Sequence, residues 1–87
     1  MTGYVSFNQM RVCKWYKGKS RGGEDILLYI KDVPEYLGGS WVCLVKKYDL
    51  TSKRLLSYGS VREDVFEDPH RIQKATPDGL TGNEWFG

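Results

Sequence analysis

Two runs of strand-forming residues, 41–48 and 55–62, stand either side of the polar hexapeptide DLTSKR, and this pairing restricts the chain more than any other feature in it. Trp41, Cys43 and Val45 alternate with Val42 and Leu44, which is the spacing of a strand with two distinct faces. Asp49, Thr51 and Ser52 carry side chains that form local turns. A β-hairpin is the reading. A chain of 87 residues has apolar surface for one core and not for two. The hairpin must therefore be the centre of a single domain, expected over residues 1–75, with residues 76–87 as an irregular tail rich in Gly, Asp, Asn and Thr.

The rest of the chain reads as further short strands. Residues 4–16 contain no Gly or Pro and are rich in β-formers, predicting one long, bent strand that ends in the loop KGKSRGG. Ile26, Leu27, Leu28, Tyr29 and Ile30 form an apolar run bounded by charge, as in a strand covered on both faces. Leu28 and Val42 are core candidates. The DVPEYLGG segment, with Asp32 as a cap, Pro34 near the start and Gly38 past the end, predicts one helical turn. Residues 61–67 read in two ways. Ser60 and Glu63 match a capping box for a short helix that Pro69 would end; the alternative is a strand to Arg62, a turn, and a last strand at 71–74. The expected class is mainly β: a small SH3-like β-barrel or a strongly bent antiparallel sheet with one or two short helical turns.

Charge and cysteine usage narrow the functional classes. Residues 1–23 carry five bases and no acid, whereas residues 63–87 carry six acids and two bases. Such polarity suits orientation on a charged partner, unless the fold brings the two ends together and they neutralise each other. Cys13 and Cys43 with a single His fall short of the four ligands of a structural zinc site. Both cysteines lie in strand-like stretches and are expected to be buried, reduced thiols. No apolar run reaches the roughly 20 residues of a membrane span, and the first residues lack a signal peptide's apolar middle. A cytoplasmic protein is the expectation.

Catalytic equipment is sparse. His70 is the one imidazole, so any Ser-His or Cys-His scheme must pass through it, with Cys13 or Cys43 as the nucleophiles to hand. Glu63, Asp64, Glu67 and Asp68 are adjacent carboxylates better explained by helix capping and solubility. GKSRGG departs from the phosphate-binding glycine motifs. No enzyme, no cofactor and no metal are expected.

Aromatic content points instead to binding, since Tyr and Trp are enriched where partner contacts carry the energy. The partner-binding candidates are Trp15, Tyr16, Tyr48, Tyr58, Trp85 and Phe86. The leading expectation is a small non-enzymatic module acting on another protein, such as a phage or plasmid accessory or inhibitor protein. The alternative is nucleic-acid binding, with aromatic faces for bases and cations for phosphates, through Arg11, Lys14, Lys17, Lys19, Arg21, Lys46, Lys53 and Arg54.

The fragments WYKGK (15–19), LLYI (27–30), EYL (35–37) and TPDGLTGNEW (76–85), in that order, resemble short motifs of a phage family similar to anti-Thoeris proteins. The resemblance implies sequestration of a small nucleotide signal, a third functional expectation. The family's opening amphipathic helix has no counterpart here, and residues 48–74 are longer and more charged than in that family.

Overall fold

The computed structural model describes residues 3–75. Seven strands form one antiparallel sheet: β1 (Tyr4–Val5), β2 (Trp15–Lys19), β3 (Asp25–Ile30), β4 (Glu35–Leu37), β5 (Ser40–Asp49), β6 (Arg54–Arg62) and β7 (Ile72–Ala75). Two 3-10 turns, Phe7–Gln9 and Glu63–Val65, are the only helical pieces among the described residues. β2, β3, β5 and β6 form a meander, after which the chain crosses back so that β7 pairs with the free edge of β2 and β1 pairs with β7. The sheet curls strongly into a half-barrel. Of the two expected forms, the structure is the strongly bent sheet. Among the described residues no helix is long and apolar enough to cross a membrane.

The inside of the curl is the main core. Ile26, Leu28 and Ile30 of β3, Cys43 and Val45 of β5, Tyr16 and Ile72 pack there with Phe7, Met10 and Phe66. Phe66 closes the half-barrel. It follows the second 3-10 turn, bridges to Ser20, and is succeeded by Glu67, whose N–H donates to the Lys19 carbonyl at 2.9 Å. Gly18 lies directly beneath its ring: a Cβ there would meet Phe66 Cδ1 at 2.7 Å. Glycine is the one residue that lets β2 and this ring approach so closely.

The hairpin of residues 41–48 and 55–62 is present, extended to Ser40–Asp49 and Arg54–Arg62. Its register shifts between Lys47 and Tyr48, leaving Leu56 as the extra residue of a β-bulge. Asp49 organises the turn as expected, its Oδ2 accepting the Ser52 N–H at 2.7 Å and its carbonyl the Lys53 N–H at 2.8 Å. The Ser52 side chain and backbone together hold the Asp49 carboxyl below its usual range. Ile26 to Ile30 is the central strand, as its uninterrupted apolar run requires.

Four expectations are corrected, and the choice left open over 61–67 is decided. The long strand over 4–16 is broken, because Phe7 and Met10 both turn into the core. Ser6 and Gln9 stabilise the intervening 3-10 turn, the Ser6 N–H donating to Gln9 Oε1 at 2.8 Å, and Cys13 takes a left-handed φ of 65° in a bulge where both it and Lys14 bond Ile30. The DVPEYLGG segment is not a helical turn but β4. Gly38 and Gly39, at φ 61° and 86°, form the two-residue loop that a tight hairpin into β5 needs. Asp32 accepts the Val33 N–H at 2.8 Å rather than capping a helix. Over 61–67 the strand alternative holds, with β6 running to Arg62 and β7 at Ile72–Ala75. Finally, Cys43 is buried but Cys13 is exposed, since the bulge turns it out of the sheet, and Val42 is only half-buried because it faces outward between Glu35 and Arg62.

Candidate functional site

A sheet curled around one core leaves its outer face to solvent, and here that face is aromatic. Alternation and register place its side chains in two rows. Ala75, Trp15, Tyr29, Lys46 and Tyr58 stand side by side on β7, β2, β3, β5 and β6, and next to them Gln73, Lys17, Leu27, Tyr48 and Leu55 follow the same strand order. Trp15 is the hub, with ring centroids 4.8 Å from Tyr29 and 5.6 Å from Tyr48, both in tilted contact. Leu27 and Tyr48 are buried beneath this cluster, which Leu50, Leu55 and Ala75 complete.

Lysines flank the aromatics. Lys31 Nζ lies 5.6 Å from the Tyr29 ring centroid and Lys46 Nζ lies 5.6 Å from that of Tyr58, within cation–π range. Tyr58 is 57% exposed and so presents a face and a charge together. A hydrogen bond with Cys13, followed by burial, pushes the Tyr29 hydroxyl pKa up, and burial does the same for Tyr48. Both therefore stay neutral around pH 7.

Beside the cluster, beginning at Leu50, runs a groove of about 710 Å³ lined by Tyr4, Lys17, Lys19, Asp25, Asp68 and Arg71 among others. Lys19 pairs with Asp25 at 3.2 Å and Arg71 with Asp68 at 3.6 Å. Both pairs are local in sequence, while the groove brings Lys17 and Lys19 of the basic start into one lining with Glu67 and Asp68 of the acidic later part. A phosphate entering here would compete with carboxylates already facing the same cations.

The candidates predicted from sequence are therefore split. Trp15 and Tyr58 stand on the outer face, and Tyr48 points the same way but is only 3% exposed, so it supports the others from below. Tyr16 does not: it is 2% exposed, belongs to the inner core, and its hydroxyl accepts the Arg11 N–H at 2.9 Å. Neighbours in a strand face opposite ways, so Trp15 and Tyr16 cannot share a surface. Trp85 and Phe86 lie outside the described residues. The eight bases do not converge. Arg11 and Lys14 precede β2, Lys17 and Lys19 project from β2 into the groove, Arg21 sits in the β2–β3 turn, Lys46 stands on β5, and Lys53 and Arg54 mark the β5–β6 turn. Tyr29 and Lys31 were missed as site residues. The turn at 20–24, counted outward as a hairpin, sets Tyr29 opposite Trp15 and was the signal that could have found it.

The few residues that a catalytic scheme could draw on have other partners in the fold. Cys13 stands by Tyr29 and Cys43 donates its thiol to the Asp32 carbonyl at 3.1 Å, while His70 Nδ1 lies 3.2 Å from Ser6 Oγ. Asp68 accepts the His70 backbone N–H and pairs with Arg71. Among the described residues no three His, Cys, Asp or Glu side chains gather as a metal site. No family model, no curated protein and no solved structure matches the chain. The fragments WYKGK, LLYI and EYL are segments of β2, β3 and β4, and TPDGLTGNEW lies outside the described residues.

Proposed function

We propose that this chain is a non-enzymatic docking module for a protein partner, which it contacts through the outer face of its sheet. The observation that carries the reading is the outer-face row of Trp15, Tyr29 and Tyr58 over the buried Tyr48, with Lys46 standing between Tyr29 and Tyr58 and Lys31 at the margin. Exposed Trp and Tyr gathered on one face are the residues in which protein contacts concentrate their energy. Rings that pack at a tilt against one another offer side-by-side contact area more than open faces for bases to stack on.

The test is capture from a native cell lysate with immobilised protein, analysed for polypeptide and nucleic acid together. Recovery of a polypeptide that resists nuclease and is lost with Tyr29→Ala and Tyr58→Ala is the expected result. Folding of both variants is checked by circular dichroism. Lys46→Ala should slow association more than it speeds dissociation.

One observation favours a second reading, single-stranded nucleic-acid binding: Tyr29 and Tyr58 each carry a lysine over the ring, the pairing of π face and cation that such ligands use. It predicts nuclease-sensitive capture and a log K that falls linearly with log salt.

A further inference from the structure

β6 ends the sheet. It is nine residues long and, among the described residues, pairs only with β5. Every second N–H and C=O along its other side points away from the sheet, a template for one more strand. Proteins usually shield such an edge with Lys, Pro or a bulge. Here the bulge at Leu56 and the charges of Arg54 and Arg62 sit toward the ends. Between them, Ser57, Tyr58, Gly59, Ser60 and Val61 form a regular stretch without charge or proline.

Charge decides the occupant. Across residues 40–62 the hairpin carries Lys46, Lys47, Lys53, Arg54 and Arg62 against Asp49, which the turn engages, and of the two acids that follow, Glu63 and Asp64, the Glu63 carboxylate accepts the Trp41 N–H at 3.5 Å. A second copy is a poor fit, since antiparallel self-pairing centred on Tyr58 would join two hairpins of like charge edge to edge and, with the Leu56 bulge counted, bring Arg54 of one copy within a residue of Arg62 of the other. We propose that the open edge of β6 receives, as an added strand, an extended acidic segment of a partner protein. Main-chain hydrogen bonds would hold it between Ser57 and Arg62, carboxylates at its ends would meet Arg54 and Arg62, and an apolar residue near its middle would rest on Tyr58. The proposal rests on the protein-docking reading and names the chemistry of that partner.

The probe is a blocked synthetic peptide of about ten residues, with glutamates at both ends and alternating threonine and valine between, titrated at low salt with hydrogen exchange as a second readout. Binding should slow exchange at β6 amides, weaken as salt rises, and weaken about tenfold or more in the Arg54→Gln/Arg62→Gln variant. The same peptide with lysines for glutamates, or with alternate residues N-methylated, should not bind. The N-methylated peptide keeps every charge, so equal binding by it would overturn strand addition. Protection confined to β2 and β3, or no binding of the acidic peptide at low salt, would overturn the proposal too. If the peptide fails while capture still depends on Tyr29, the edge proposal alone falls; if capture proves nuclease-sensitive, the docking reading falls with it.

Discussion

At the scale of single residues, the two cysteines behave as opposites. Cys13 is held outward by a left-handed backbone, while Cys43 is 2% exposed and donates its thiol to a carbonyl. Burial, with the Asp32 charge adding to it, pushes the Cys43 pKa from an ordinary 9.0 up to about 11. Because the thiolate is the nucleophile, iodoacetamide at neutral pH should label Cys13 and leave Cys43 untouched until denaturant is added, as read by intact mass in a Cys13→Ser variant. The raised pKa also fixes the sign of a pH effect. Below about pH 9 both folded and unfolded chains hold this proton; between pH 9.0 and about 11 only the folded chain does, so stability falls as pH rises, by about 1.4 kcal/mol per unit. Tyr29 and Tyr48, also raised, extend the loss in the same direction. Alkaline denaturation profiles of the Cys43→Ala variant should be flatter than wild type over the first unit of this window.

At the scale of elements, closure of the half-barrel depends on one strand and one ring. Gly18 of β2 admits Phe66 to a distance no other residue allows. A methyl group there must displace the ring or the strand, so Gly18→Ala is expected to destabilise by about 1 to 3 kcal/mol. For a domain this small that lowers the melting temperature by about 5 °C or more, measurable by circular dichroism. Phe66→Leu in the Gly18→Ala background should recover part of the loss, a coupling expected only of residues in contact. An unchanged melting temperature for Gly18→Ala would mean that Phe66 does not sit over β2. Most of this closure was hidden in the sequence. Gly18 lies in KGKSRGG, among other glycines that serve turns, and nothing local distinguishes a glycine beneath a ring 48 positions away from one in a loop.

For the whole molecule, a thin sheet with apolar side chains on both faces gives unequal weight to residues that look alike in sequence. Leu28 faces the closed core and Val42 the outer face. Leu28→Ala should cost about 2 to 5 kcal/mol, a large share of the roughly 5 to 10 kcal/mol available to so small a domain. Val42→Ala should cost less than half as much. Urea denaturation monitored by tryptophan fluorescence would compare them, and equal losses would contradict the outward placement of Val42. The same two-sidedness explains the function proposed here. One face is spent on folding, and the other retains an aromatic cluster that a monomer of this size does not need for its main core.

What the sequence by itself determined was local: the β class, the hairpin around DLTSKR, the central strand at Ile26–Ile30, and the abundance of aromatic and basic residues. Alternation and turn chemistry act over a few residues, so one chain segment suffices to read them. Only the tertiary structure decided which aromatics share a face. Trp15 and Tyr16 are adjacent in sequence yet lie on opposite sides of the sheet, whereas Trp15, Tyr29 and Tyr48 come from three strands and touch. Their meeting depends on register between strands, set by the loops, the bulge at Leu56 and the Phe66 closure together, and register is a property of pairs of segments that no single segment encodes.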